Sequence, residues 1–185
     1  MLAFDVDGGT FRLRPARRSD LPDVVRLLAD DQLGATREDS ADLPAILQLL
    51  ADDQLGAARE DLSELAPYAD AFEAIDADPA HLLLVGELVP AGAGGSSVVA
   101  TFQLSFLPGL SRRGSWRSQI EAVRVSGALR GRGVGAAMVQ WAIGESRSRG
   151  CTLMQLTTDK SRVDAHRFYE RLGFAASHEG MKLKL

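Results

Sequence analysis

The pattern of hydrophobic and polar residues changes period several times along the chain, and each period predicts a type of element. Alternation with a period of two is typical of strands that bury one face. Strand-like apolar runs at 81–89 and 97–106, joined by a glycine-rich turn, predict a hairpin, and alternation predicts strands at 10–16 and 118–126. In the last of these, the alternation places Ile120, Ala122 and Arg124 on one face and Val123 and Val125 on the other.

Helical spacing replaces alternation in the C-terminal part of the chain. Apolar residues recur at i, i+3, i+4, i+7 and i+8 from Val134 to Ala142, which predicts an amphipathic helix that ends at Gly150. A second helix is predicted over 161–174, and further strands over 151–158 and 181–185. Together these elements predict a mixed α/β sheet within a single domain, residues 1–185.

One segment near the N-terminus occurs twice. Residues 20–39 and 42–61 are identical at 15 of 20 aligned positions. Each copy predicts a helix, with proline in its first turn and glycine where the helix ends. Two copies are too few for a solenoid, so we interpret them as a tandem duplication of one helical segment. We expect the second copy, which is slightly more apolar, to dock on the core, and the first to form an extra surface helix or to mediate self-association.

Charge is unevenly distributed over a chain whose net charge is −4. Residues 1–90 carry 19 acidic and 7 basic side chains, whereas residues 91–185 carry 6 acidic and 14 basic ones. The basic half favours a locally bound anion, and the overall acidity disfavours nucleic-acid binding. A single cysteine, Cys151, excludes an internal disulfide, and no Cys/His spacing indicates a metal. Without a signal-like start or an apolar run that could span a bilayer, we expect a cytoplasmic protein and no membrane partner.

The sequence RGRGVG at 130–135 lies between a predicted strand and a predicted helix, which argues against a flexible linker. At the start of a helix the first N–H groups are unpaired, and the helix dipole favours an anion. Glycines allow the backbone to approach a phosphate closely, and Arg130 and Arg132 add positive charge. We therefore predict that this segment binds a pyrophosphate.

Three classes of phosphate-binding loop have to be distinguished. A Walker loop requires Gly-Lys-Ser/Thr, which the sequence lacks. A dinucleotide fingerprint, G-x-G-x-x-G/A, is matched by Gly131, Gly133 and Ala136, and Asp159 follows at the end of the next predicted strand. That fingerprint belongs in the first βα turn of its domain, whereas here it falls in the last third of the chain. A dinucleotide-binding oxidoreductase is therefore kept as an alternative.

The third class fits both this loop and a second motif. R-G-x-G-V-G after the strand EAVRV resembles the acyl-CoA loop of the GCN5-related N-acetyltransferase (GNAT) superfamily, and DAHRFYERLGF at 164–174 resembles a later helix of that family. The resemblance covers about residues 97–185. It implies an α/β fold with a mixed, mostly antiparallel sheet, whose splayed central strands are flanked by helices. The duplicated helical segment departs from this pattern.

The resemblance also implies an activity. Acetyl-CoA would be the co-substrate, and its acetyl group would pass directly to a primary amine of a small molecule or peptide. A non-catalytic CoA-binding regulatory domain is a second alternative, and a homodimer stays open.

Individual residues acquire roles from the same resemblance. Main-chain groups of Val123 and Val125 would bind the pantetheine arm of the cofactor, and Asp164 stands where many relatives have an asparagine that contacts it. Glu121 would be the general base, since an amine with a pKa of about 10 costs about 4 kcal/mol to deprotonate at pH 7. Tyr169 would protonate the leaving thiolate. The diphosphate would lie on the loop formed by Arg130, Gly131, Arg132, Gly133, Val134, Gly135 and Ala136.

Overall fold

The computed structural model describes residues 1–29, 64–92 and 94–183. Within these ranges six strands form one sheet in sequential order. They are β1 (Ala3–Val6), β2 (Gly9–Pro15), β3 (His81–Pro90), β4 (Ser97–Pro108), β5 (Trp116–Val125) and β6 (Cys151–Gln155). Four longer helices accompany them, α1 (Leu21–Ala29), α2 (Ala66–Ala77), α3 (Val134–Ser148) and α4 (Val163–Arg171).

The sheet is mixed and mostly antiparallel, as expected. Strands β1 to β5 pair antiparallel with their neighbours, and among the described strands only β5 and β6 pair parallel. A dinucleotide-binding fold needs a mostly parallel sheet with crossover helices. The described part of the chain therefore does not have the architecture that the oxidoreductase alternative requires.

Helices cover both faces of this sheet. On one, which we call the α3 face, alternate residues of β4 such as Phe102 and Leu104 cluster with Met138 of α3. On the other, the α1 face, Val24 and Val25 are buried where α1 packs against β4 and β5. The core thus lies in two layers on either side of the central strands.

The first copy of the duplicated segment supplies the docked helix. Helix α1 begins at Leu21 of that copy and buries the side chains of Leu21, Val24, Val25 and Leu27. The prediction that the first copy forms an extra surface helix is therefore wrong for residues 21–29. The second copy, at 42–61, lies outside the described residues.

A largely buried cluster of charges anchors the start of the first copy. Arg14 of β2 donates to the two carboxylate oxygens of Asp20 at 2.7 and 3.0 Å and to Glu87 of β3 at 2.5 Å. Asp20 also accepts the N–H of Arg17 at 2.6 Å, so it ties the start of α1 to the sheet. Burial alone would raise the pKa of Asp20, but the bonds from Arg14 and Arg17 outweigh it and the pKa is lowered. Arg14 also lowers the pKa of Glu87.

Replacing Asp20 with asparagine is expected to lower the free energy of unfolding by about 3 kcal/mol at pH 7, because Arg14 loses a charged partner while staying largely buried. A carboxylate whose folded pKa is depressed stabilises the protein above its unfolded pKa, and this stabilisation is lost as the pH falls through the folded pKa. The difference between Asp20→Asn and the parent should therefore shrink well below pH 4. Urea unfolding at pH 7 and at pH 3 measures both effects.

The matched control is Asp23→Asn, since Asp23 pairs with Arg26 at the protein surface. Its unfolding free energy should change by less than about 1 kcal/mol, as is usual for exposed pairs. Equal effects of the two substitutions would mean that the buried cluster does not anchor α1.

The predicted C-terminal strand is absent over residues 181–183. Met181 and Leu183 are 98% and 84% exposed. An ion pair of 2.9 Å between Lys160 and Glu179 holds the preceding residues beside the loop that follows β6. Alternation makes a segment suitable for a sheet, but a strand forms only where its backbone pairs with another.

Candidate active site

A β-bulge in β5 shapes the centre of the sheet. The register of β4 against β5 slips between the pairs Gln103–Glu121 and Thr101–Arg124, so two residues of β5 lie opposite one residue of β4. At this point Ala122 has a φ of 53°, in the left-handed region that residues other than glycine rarely adopt. Bulges and strained residues of this kind occur preferentially beside active sites, where they redirect side chains.

The bulge changes which side chains of β5 share a face. Strict alternation would place residues 121 and 124 on opposite faces. Because their partners in β4 are two residues apart, Glu121 and Arg124 both lie on the α1 face instead. The prediction that Arg124 shares a face with Ile120 is therefore wrong, and Val125, which pairs with Ala100, takes that place.

Beside the bulge, β5 and β6 part. Their described pairing runs from Trp116–Cys151 to Gln119–Gln155, and at the last pair the amide of Gln155 donates to the side-chain oxygen of Gln119 at 2.8 Å. Beyond this point β5 continues to Val125 along β4, while the chain after β6 enters the loop that leads to α4. The two strands therefore separate, as expected for splayed central strands, and we call the space between the second half of β5 and that loop the cleft.

Two main-chain carbonyls of β5 accept hydrogen bonds from arginine side chains at this cleft. Arg124 donates from Nη1 to the oxygen of Val123 at 3.0 Å, and Arg130 donates from Nε to the oxygen of Val125 at 3.3 Å. These are the residues predicted to bind a pantetheine arm through their main chain. Both carbonyls can thus be reached by donors that are not part of the β-sheet ladder.

The glycine-rich loop lies between β5 and α3, where the sequence predicts it. Gly131 and Gly133 have φ of 74° and 80°, and Gly133 is the N-cap of α3. A side chain added at either glycine would meet no other atom within 4 Å. The unpaired N–H groups at the start of this 15-residue helix are therefore next to open space, which is the arrangement that binds an anion.

The other loop residues differ in what they can contribute. The side chain of Val134 is buried in the core, so only its main chain could reach a ligand. Arg132 is exposed and forms an ion pair of 2.7 Å with Asp7. A side chain on Gly135 would contact Phe168 of α4 at 3.5 Å, which shows how closely this end of α3 packs against α4.

Helix α4 brings Tyr169 to the same region. Its ring packs against Phe168 and Phe174, with centroid distances of 5.0 and 5.7 Å. Burial raises the pKa of Tyr169, and the positive charges of Arg162 and Arg124 offset this in part. Because an ordinary tyrosine has a pKa of about 10, this phenol is protonated at neutral pH and can donate a proton.

Glu121 and Asp164, the two carboxylates predicted to be site residues, lie in different parts of the structure. Glu121 is exposed on the α1 face, directly before the bulge and opposite Gln103. Asp164 lies in the first turn of α4, where its side chain is 65% exposed and lies 3.7 Å from Arg167. The structure therefore brings Glu121 to the edge of the cleft and leaves Asp164 on the exposed side of α4.

Sequence reasoning did not identify Arg124 and Arg162 as site residues. The charges of both act on the phenol of Tyr169, one from β5 and one from the N-cap of α4. Arg124 was missed because the bulge has no signal in the residue types. Ala122 is neither glycine nor asparagine, the residues that usually adopt a positive φ.

Neither a metal site nor a membrane-spanning helix is found among the described residues. No three His, Cys, Asp or Glu side chains in these ranges come together in a way that could hold a metal ion. No helix in the described ranges combines the length and the apolar character needed to cross a membrane.

Comparison with known proteins relates this chain to an enzyme family. A family model described as "Acetyltransferase (GNAT) family" matches residues 43–174. Aminoalkylphosphonate N-acetyltransferase of Salmonella typhimurium is 39% identical over 64 residues, which are 35% of this chain and 42% of that protein. Glucosamine 6-phosphate N-acetyltransferase of Trypanosoma brucei brucei is 34% identical over 88 residues, 48% of this chain and 58% of that protein. The chain thus aligns with less than two thirds of either curated relative.

A solved structure resembles the chain over nearly its whole length. It is described as a transcriptional regulator from Bacillus halodurans C-125, and it is 39% identical with a TM-score of 0.75. The match covers 95% of this chain and 99% of that one. The fold described above is therefore similar to that of a known protein from end to end.

Proposed function

The chain belongs to the GNAT family of acetyltransferases, and from this premise we propose that it transfers the acetyl group of acetyl-CoA to a primary amine. The observation that carries the proposal is the continuity of loop and cleft. The open loop at 130–136 follows the bulged half of β5 after one short turn at Gly127–Leu129, so one elongated ligand could follow both. Acetyl-CoA has a diphosphate at one end and a thioester on a long arm.

In this proposal the residues of the cleft hold the cofactor through their main chain. The diphosphate lies on the N–H groups at the start of α3, with Arg130 and Arg132 adding positive charge. Amide groups of the pantetheine arm take the place of the arginine side chains that donate to Val123 and Val125. Bound in this way, the cofactor supplies an acetyl group activated as a thioester.

The proposed chemistry needs two proton transfers. The amine nitrogen attacks the thioester carbonyl, so a C–N bond forms and the C–S bond breaks. Glu121, directly or through water, takes the proton that the amine loses. Tyr169 gives a proton to the departing thiolate, and the products are an amide and the free thiol of CoA. Tyr169, whose pKa is raised by burial, is protonated at neutral pH, as a proton donor has to be.

The acceptor is proposed to be a small primary amine. Both curated relatives have names that describe an amine carrying a phosphonate or a phosphate. We extend to this chain their shared feature, an amine and an anion in one small molecule. The location proposed for the protein is the cytoplasm, and no nucleic acid is needed for the reaction.

Glu121→Gln is expected to lower kcat/KM at pH 7 by about 100-fold, the usual scale for losing a general base. Activity should recover in part at alkaline pH, where more of the amine is already deprotonated. A pH profile of kcat/KM for the parent and the variant measures this. Glu170→Gln, an exposed carboxylate on α4, should leave the profile unchanged. An unaltered profile in Glu121→Gln would exclude Glu121 as the base.

Two measurements test the proposed function as a whole. Fluorescence titrations should detect binding of acetyl-CoA and none of NADH. A thiol reagent should then detect CoA release with at least one member of a panel of primary amines. The solved relative described as a transcriptional regulator favours one other candidate, a non-catalytic CoA-binding domain. Tight acetyl-CoA binding without CoA release across the panel would support that candidate instead.

A further inference from the structure

The bulge in β5 places two opposite charges side by side on the α1 face. Glu121 and Arg124 pair with residues of β4 that are two positions apart, so their backbones are separated by about 7 Å along the strand. A regular strand would have directed one of them to the other face. That both charges lie on one face is therefore a consequence of the bulge, where Ala122 has a φ of 53°.

The guanidinium of Arg124 contacts the main chain in the second half of β5. It donates to the carbonyl of Val123 at 3.0 Å, at the edge of the cleft, and its side chain is half-buried. Its charge also acts on the phenol of Tyr169, which comes from the opposite side of the cleft. Arg124 thus lies beside the main chain proposed to bind the pantetheine arm, on the face that carries the proposed base.

The cofactor diphosphate does not account for this arginine. The loop proposed for the diphosphate begins six residues later, and it has Arg130 and Arg132 of its own. Arg124 also belongs to the α1 face, on which the proposed base Glu121 lies. A second anion is the group that a guanidinium in this position fits.

We propose that Arg124 determines acceptor specificity by binding an anionic group of the amine substrate while Glu121 faces its amine. This inference rests on the proposed function and adds a residue to it. With the two backbones about 7 Å apart, an amine and an anion separated by about three bonds can reach both side chains. A phosphonate suits the planar guanidinium because two of its oxygens can accept parallel hydrogen bonds.

The test compares three primary amines that share a two-carbon spacer. They are 2-aminoethylphosphonate, β-alanine and the uncharged ethanolamine. In the parent protein, kcat/KM for the phosphonate should exceed that for ethanolamine by about 10- to 100-fold, the scale of a hydrogen bond to a charged group. A rate with β-alanine as high as with the phosphonate would also support the proposal, and would show that the anion can be a carboxylate.

Variants of Arg124 then show whether this residue causes the preference for the phosphonate over ethanolamine. In Arg124→Gln the ratio of kcat/KM for phosphonate to that for ethanolamine should fall to within about threefold of one, and Arg124→Lys should retain part of it. Both amines are measured on the same preparation, so a loss of folded protein cancels in the ratio. Arg117→Gln, on the same strand but before the bulge, should leave the ratio as in the parent.

Two results would overturn the proposal. One is a parent protein that acetylates all three amines equally well, and the other is a preference for the phosphonate that survives in Arg124→Gln. In both cases the proposed acetyl transfer would stand, because CoA is still released. Binding of acetyl-CoA without CoA release for any amine would instead contradict the proposed function, and this inference with it.

Discussion

Replacing Gly133 with aspartate is expected to weaken acetyl-CoA binding at least about 100-fold, because a carboxylate would enter the open space above the loop and repel the diphosphate. Gly133 is the N-cap of α3, with a φ of 80°. Aspartate is among the preferred N-cap residues and, of the residues with a side chain, is one that tolerates this conformation better than most. The helix should therefore still form. Calorimetric titration with acetyl-CoA and thermal unfolding measure the two effects separately.

Two controls separate charge from shape. Gly133→Asn has nearly the same size and conformational tolerance without the charge, so it should weaken binding less than Gly133→Asp. Gly144→Asp adds the same charge at an exposed position in the middle of α3 and should leave the affinity close to that of the parent. Normal affinity in Gly133→Asp, with the fold retained, would refute the proposed diphosphate site.

Replacing Tyr169 with phenylalanine is expected to lower kcat by about 100-fold, since the leaving thiolate would lose its proton donor. Affinity for acetyl-CoA should stay within about threefold, because the ring that packs against Phe168 and Phe174 is kept. Steady-state kinetics and a binding titration on the same variant show whether turnover and affinity separate in this way.

The direction of the Tyr169 pKa shift adds a pH dependence. Burial raises this pKa, and the protonated phenol is the proposed active form. The alkaline decline of kcat assigned to Tyr169 should therefore lie above the ordinary tyrosine pKa of about 10, and it should be missing in Tyr169→Phe. The control is Tyr68→Phe, which changes the other tyrosine of the chain, in α2, and should leave the alkaline decline of kcat in place. Equal turnover of Tyr169→Phe and the parent would exclude the acid role.

Local patterns in the sequence predicted most of the elements correctly. Helix α3 begins at Val134, as the i, i+3, i+4 spacing indicates, and the glycine-rich segment lies at its N-terminus. These features depend on residues close together in the chain, so composition and spacing are sufficient to predict them. The family resemblance rested on the same local segments and is confirmed.

Competition between distant segments could not be predicted in the same way. The two copies of the duplicated segment have nearly the same apolar stripe, so their sequences do not decide which one docks. In the described structure, Asp20 at the start of the first copy bonds to Arg14 of the preceding strand and lies in a cluster with Glu87. That bond pattern links residues up to 73 positions apart.

By itself, the sequence determined most of the strands and helices and a loop able to bind an anion, because each follows from side-chain period and backbone freedom within a few residues. The cleft and the charges at its edge were decided by tertiary structure. They depend on how β5 pairs with β4 on one side and parts from β6 on the other. A slip of one residue in that pairing moves Arg124 to the face of Glu121, and no residue type in β5 indicates that the slip occurs.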